Sequence, residues 1–282
     1  MYFCGSKVNV MSEYNYVRDW VEDLPKKGKS VFSKEDVVRQ FPDLTNRNLH
    51  NTLNRLVVKK KTQSVWQGFF AVVLPEHGLR GIVSPIEYID MLMKYLNKQY
   101  YVALLNAAEL YGAAHQAPQE FFVMSNTTKL RDKIKKDVKI NFVAKKTIPQ
   151  KHLTQMMTRS GYVNVSNPIL TAYDLICYER SVGGVNRIAT IINDLAGEIR
   201  FTNVDTAFMH SFSPAVTQRL GYLLEELGFE EHAGKLYRKA MIAGLKFRKA
   251  PLVIADKTKD LSKYPVNNKW KLIINEQIEI DE

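Results

Sequence analysis

The chain has 282 residues, 45% apolar and 24% charged, with a formal charge of +11 and an isoelectric point near 9.4. That balance supports a buried core, leaves room for two domains and excludes wholesale disorder. Apolar runs stay strand-sized, so no membrane partner is expected, and Cys4 and Cys177 offer neither a disulfide framework nor a metal-ligand spacing.

A reducing, cytoplasmic setting is expected, since "MYFCGSKVNV" does not read as the basic and apolar regions of a secretory signal. The positive excess favours polyanions, nucleic acid first. Residues 12–24 place Tyr16, Val17, Trp20, Val21 and Leu24 at helical spacing, with Ser12 as N-cap. "PKKGK" breaks that helix, and "SVFS" is a short β-prone stretch. Ser33 then opens a second helix, with Asp36 where a capping box would carry Glu or Gln. Thr45 caps a third helix. After it, "KKKTQSVWQGFFAVVLP" reads as two strands around a polar tip near Thr62–Ser64, with a bulge or turn at Gly68. This order is that of a winged helix-turn-helix, expected over residues 1–78, with Pro75 and "EHGLRG" as the link onward.

The third helix, "LTNRNLHNTLNRLVVKKK", carries four asparagines in spite of their mediocre propensity. On a wheel of about 100° per residue, Leu49, Leu53 and Leu56 face one way. Arg47, Asn51 and Asn54 cluster opposite, flanked by His50 and Arg55. Arginine and asparagine are the side chains that make bidentate contacts to guanine and adenine, which would repay the lost propensity. No Asp or Glu occurs between Leu44 and Pro75. The expected DNA-contacting set is therefore Thr45, Asn46, Arg47, His50, Asn51, Asn54 and Arg55 on the helix, with Lys59, Lys60, Lys61 and Gln63 toward phosphate and wing. The same pattern also fits a solvated helix face in a protein-docking module. Trp66, Phe69 and Phe70 are expected to cover the small core in preference to stacking on bases.

Residues 79–282 form the larger second domain, mixed α/β, so the whole chain is expected to be α+β. "SPIEYIDMLMKYL" reads as a helix capped by Ser84, with Pro85 first and Glu87 as box partner. "YYVALLNAAELYGAAH" reads as a helix, "QEFFVMS", "VKINFVAKK" and "GYVNVSN" as strands. "TKLRDKIKKDVK" is a basic surface segment that extends a DNA footprint or solvates a helix between strands. "NPILTAYDLICYERS" and "VNRIATIINDL" are helices broken at Gly183-Gly184. "QRLGYLLEELG" buries Leu220, Leu223, Leu224 and Leu227, ends at Gly228, and projects Arg219 and Glu225 outward, to a partner or to water. "KWKLIIN" is strand-like.

No metal-site, P-loop or dinucleotide-loop spacing occurs, so no metal or cofactor is expected. "CGSK" at 4–7 is like the Gly-Ser of nucleotidyltransferases, but residues 7–18 offer only Glu13 where a magnesium-binding carboxylate pair is needed. Asp137-Val-Lys139 has the Asp-x-Lys spacing of a restriction-type nuclease, with Glu120 as the only nearby candidate for the upstream acid on a neighbouring strand; among so many lysines that spacing arises easily by chance.

The segments 100–125, 167–195, 218–229 and 269–282, in that order after the N-terminal pattern, resemble the AbiEi antitoxins of type IV toxin–antitoxin (abortive infection) systems. The resemblance implies a winged-helix domain that binds inverted repeats in its own promoter as an autorepressor. It implies a C-terminal domain that counteracts a co-encoded AbiEii-like nucleotidyltransferase toxin, acting by binding and not as an enzyme. Double-stranded promoter DNA and that toxin are the expected partners, with Arg47, Asn51 and Asn54 as operator readers. Two other classes remain open: a DNA-binding regulator whose C-terminal domain senses a ligand, and a nuclease-like enzyme.

Overall fold

In the computed structural model, which describes residues 14–77, 81–114, 118–127, 130, 132–135, 138–254 and 260–280, the first helix is α1 (Val17–Asp23). It buries Val17, Trp20 and Val21, whereas Tyr16, expected on the same stripe, is the N-cap and stays 66% exposed. Ser12, the "CGSK" stretch and Asp137 lie outside the described residues. After a turn at Gly28, where φ is +72°, come β1 (Val31–Ser33) and α2 (Lys34–Gln40). The Asp36 N–H donates to the Ser33 hydroxyl at 3.1 Å, and the Ser33 N–H donates to the Asp36 carboxylate at 2.8 Å. Aspartate therefore closes the reciprocal box, one methylene shorter than the usual glutamate.

Thr45 Oγ1 accepts the Asn48 N–H at 3.3 Å and starts α3 (Asn46–Val58). Strands β2 (Thr62–Trp66) and β3 (Phe69–Val72) form a hairpin, and β3 pairs antiparallel with both β1 and β2, giving the order β1-β3-β2. The turn falls at Gln67–Gly68, with Gly68 at φ +74°, and not around Thr62–Ser64 as the sequence suggested. Thr62 and Gln63 enter the strand at once and are buried. Leu49, Leu53 and Leu56 pack on Trp20, Phe32 and Phe70, whose rings meet edge-on (Trp20–Phe32, 5.5 Å) and stacked (Phe32–Phe70, 5.4 Å). Phe69 and Phe70 are core, as expected.

The helix expected from Ser84 begins later. A 3-10 turn at Pro85–Glu87 precedes α4 (Ile89–Tyr95), and the Ser84 hydroxyl caps nothing. Glu87 does not reach back to the cap because its carboxylate is held by His77 Nε2 at 3.1 Å. This first compact unit runs to Asn97.

The second unit is built on a mixed six-stranded sheet of order β6-β7-β5-β4-β9-β8. Its strands are β4 (Tyr100–Val102), β5 (Glu120–Ser125), β6 (Lys133–Lys135), β7 (Val138–Ala144), β8 (Leu153–Thr158) and β9 (Gly161–Ser166). Strand β5 runs antiparallel to β4 and parallel to β7, and β4 runs parallel to β9. The segment expected as one helix from Tyr100 opens as strand β4, since three buried residues in a row suit a sheet interior; α5 (Leu104–Leu110) follows. Strand β8 was not foreseen, and the basic segment contributes strand β6, not a helix.

Helix α6 (Pro168–Cys177) buries residues all round, from Ile169 through Ile176. Around it lie α7 (Glu179–Val182), α8 (Val185–Leu195), α9 (Thr206–His210), α10 (Pro214–Glu226) and α11 (Glu230–Ile242). Gly183 and Gly184 break the chain between α7 and α8 at φ +99° and +92°. A small sheet of β10 (Ala250–Pro251), β11 (Val266–Asn267) and β12 (Leu272–Ile273) closes the unit, so "KWKLIIN" is strand over two residues only. Among the described residues no helix is long and apolar enough to cross a membrane. Fold class is α+β.

The C-terminal sheet is fastened to α10 by residues that include two expected to point outward, Arg219 and Glu225. Trp270 is fully buried, its indole N–H donates to Glu225 Oε2 at 2.7 Å, and Lys269 pairs with the other oxygen of that carboxylate. Gln218 donates to the carbonyls of Arg248 and Trp270 at 2.8 and 2.6 Å. Arg219 donates to the Pro251 carbonyl at 3.0 Å through Nη2. Arg219 and Glu225 thus hold the chain's own tail, because α10 is buried on more than one side. Gly221 makes this possible: a Cβ there would lie 2.0 Å from Trp270 Cη2. Gly221→Ala is expected to lose at least about 1–3 kcal/mol in urea unfolding through overpacking. Gly234→Ala in α11, where nothing lies nearer than 3.6 Å, is expected to gain up to about 1 kcal/mol in the same assay.

Candidate nucleic-acid interface

The leucine seam fixes the rotation of α3 about its axis. With Leu49, Leu53 and Leu56 at 0%, 5% and 4% exposure, the opposite side faces solvent. That side brings together Arg47, His50, Asn51, Asn54 and Arg55, all exposed; Asn46, also exposed, stands in the first turn nearer the leucine seam, with Thr45 at the cap. The side chains of Arg47, Asn51 and Arg55 make no hydrogen bond or ion pair among the described residues. Asn54 Nδ2 lies 2.9 Å from His50 Nε2, one helical turn away.

The end of α3 is a Schellman motif. The Lys61 N–H reaches the Leu56 carbonyl and the Lys60 N–H the Val57 carbonyl, each at 3.0 Å. The residue that must turn left-handed in this motif is Lys60, at φ +54°, where glycine is the low-strain choice. Lys59, Lys60 and Lys61 are exposed there, but Lys61 Nζ is drawn to Glu22 Oε1 at 3.2 Å, which offsets part of its charge.

Gln63 does not belong to this face. It is 4% exposed, and its side-chain oxygen accepts the Val83 N–H at 2.7 Å. Sequence reasoning counted it as wing-tip polar because the tip was set too early along the hairpin. It missed Tyr16 and Arg18, which with Thr52, Arg55 and Lys59 line an open cavity of about 380 Å3 beside α3. Arg18 carried a signal, a cation on the solvent side of α1; Tyr16 carried none, since its spacing matched the apolar stripe.

Glu76, His77 and Glu87 gather within metal-ligand reach. His77 Nδ1 accepts the Leu74 N–H at 2.8 Å, so Nε2 carries the proton and donates to Glu87, leaving no lone pair for a cation. On β5 and β7, Glu120 sits opposite Lys139, with Lys139 Nζ at 2.8 Å from one oxygen and Asn141 Nδ2 at 2.6 Å from the other. Those two bonds, Lys139 first, hold the Glu120 carboxyl below the usual range. Both oxygens are therefore engaged by neighbouring side chains. An open cavity of about 400 Å3 in the second unit is lined by Phe212, Gln218, Lys246 and Arg248 among others.

Inside the second unit, Asp174 is fully buried between Lys145 Nζ (2.7 Å) and the Tyr101 hydroxyl (2.8 Å). Burial pushes its carboxyl up, against the opposing pull of Lys145 and Tyr101. Lys145 Nζ also stands 4.8 Å from the Phe212 ring centroid. This is a satisfied internal ion pair that ties β7's end to α6.

Residues 101–226 match the profile of the AbiEi antitoxin C-terminal domain family. The chain also resembles the crystal structure of the RV2827C protein from Mycobacterium tuberculosis. The TM-score is 0.65, the identity 14%, and the likeness covers 90% of this chain and 89% of that one. A search of curated proteins finds no match to the chain.

Two stability outcomes follow from this geometry. Lys60→Gly is expected to raise the unfolding free energy by about 1 kcal/mol, by relieving the left-handed lysine; calorimetry or urea titration reads it. Lys145→Met is expected to cost about 3–5 kcal/mol at neutral pH, because it strands a buried carboxylate. A carboxyl whose folded pKa is raised is best tolerated when protonated. The loss in Lys145→Met should therefore shrink as pH falls from 7 toward 4 and grow as pH rises through the folded pKa of Asp174.

Proposed function

We propose that this chain, whose residues 101–226 carry the AbiEi antitoxin C-terminal domain, is the antitoxin of a type IV toxin–antitoxin system and represses its own promoter. Residues 1–78 act as a winged helix-turn-helix, with α3 as the helix that enters the major groove. Residues 79–282 act as the antitoxin domain against a co-encoded nucleotidyltransferase-like toxin. The chain works by binding, and its DNA partner is double-stranded promoter sequence with inverted repeats.

The observation that carries the DNA reading is the composition of the outward face of α3. A purely solvated helix gains nothing from asparagines that glutamate or lysine would not give, and it pays their lower propensity. Four asparagines, a histidine and two arginines on a 13-residue helix without an acid suit base edges and phosphates. Cations at the helix end, Lys59 and Lys60, stand where the duplex backbone would pass. Gln63 takes no part, and the Gln67–Gly68 turn replaces Thr62–Ser64 as the tip of the wing. For the antitoxin reading, the family match to 101–226 is the support.

On promoter DNA, Arg47→Ala or Asn51→Ala is expected to cost about 1–3 kcal/mol, and much less on random DNA. Gel-shift or anisotropy titrations measure both, and equal losses on the two would leave only phosphate contacts. Lys59→Ala should weaken both DNAs alike and lower the salt slope by about one. Growth assays with the neighbouring toxin separate the two roles: the full-length Arg47→Ala, Asn51→Ala double variant should lose repression of a promoter reporter and still rescue growth. Loss of rescue along with repression would place antitoxicity in transcriptional control alone.

A further inference from the structure

We propose that His50 is a positioning residue for base reading: it holds the Asn54 amide so that α3 presents one donor and one acceptor in a fixed order to an A·T pair. This rests on the reading of α3 as the groove-entering helix. Asn54 Nδ2 meets His50 Nε2 at 2.9 Å across one turn. An amide nitrogen only donates, so Nε2 accepts through its lone pair and the ring proton sits on Nδ1. One Asn54 N–H is consumed in this way. The second N–H and Oδ1 make no hydrogen bond among the described residues.

That remainder is what adenine asks for. Its major-groove edge offers N7 as acceptor and the N6 amino group as donor, and an asparagine reads both with one N–H and its oxygen. A free amide on an exposed helix turns about a broad, roughly two-fold torsion and presents oxygen and nitrogen in either order. Half of those arrangements offer the wrong atom to each base position. The histidine bond removes them before DNA arrives, which lowers the ordering cost of binding. Arg47 needs no such device, because all its hydrogen-bonding atoms are donors and guanine offers only acceptors at N7 and O6. Among the described residues, Asn54 is the one asparagine of α3 whose side chain is held by another side chain.

The test uses full-length protein, its promoter fragment, a set of fragments with each base pair replaced singly, and random DNA. Asn54→Ala is expected to lose roughly five- to a hundred-fold in discrimination at one A·T pair. His50→Ala should lose several-fold more at that same pair than at any other pair or on random DNA. The His50→Ala, Asn54→Ala double variant should discriminate no worse than Asn54→Ala alone, because both act on one contact. His50→Gln, whose side-chain oxygen reaches a similar point and accepts the same N–H, should restore the wild-type profile. An unchanged profile in His50→Ala, a loss at a different pair, or equal losses on all DNAs overturns the assignment while leaving α3 as the reading helix. A wild-type protein that binds promoter and random DNA equally removes the reading helix itself, and this inference with it.

Discussion

The rotation of one helix about its own axis governs how the N-terminal unit meets the outside. Three leucines packed on Trp20, Phe32 and Phe70 set that angle. Because side chains on a helix repeat about every 100°, burying the seam determines which residues can ever be seen by a partner. The amides and guanidinium groups of α3 are outward as a consequence of apolar packing, with no specific contact needed to hold them out. Burial of the seam also explains why the cap matters. Thr45 and the Ser33–Asp36 box fix where α3 and α2 begin, so the register of the polar face follows from local chemistry at each start.

The second unit solves a different problem. Its sheet and helices enclose a polar cluster at Asp174, Lys145 and Tyr101 and a large aromatic at Trp270. Both are satisfied internally, the first by a charge pair with a phenol, the second by a carboxylate and a glycine-sized gap. Buried ion pairs seldom add much net stability but penalise every arrangement that leaves a charge alone. Such contacts favour a unique packing of α6 and α10 over near alternatives. The family profile spans this region from Tyr101 to Glu226, which includes Asp174 and Gly221.

How much of this was legible depended on the range of the forces involved. The starts of α2 and α3 and the polar face of α3 could be read because propensity, capping and periodicity act within a few residues. Strand β4 was missed because its first residues, Tyr100–Val102, continue without a break into a helical pattern, and only pairing with β5 and β9 decides between the two. Gln63 was misplaced by a slip of a few residues in the hairpin tip, enough to turn an outward side chain inward. Arg219 and Glu225 were sent outward because a helix read alone has one buried side. Their partners lie 32 and 45 residues later, beyond any local pattern. The pairing of His50 with Asn54 could have been seen, since four residues separate them, but spacing does not tell which amide atom is used.

The indole wedge at position 270 also sets an order of events during synthesis. In the folded chain the slot at Gly221 in α10 is filled by Trp270, which is made 49 residues later. The N-terminal unit, by contrast, draws nearly all its contacts from the opening hundred residues and can mature early. A nascent or prematurely terminated product would thus own a finished N-terminal unit joined to a second unit whose slot at Gly221 is still empty.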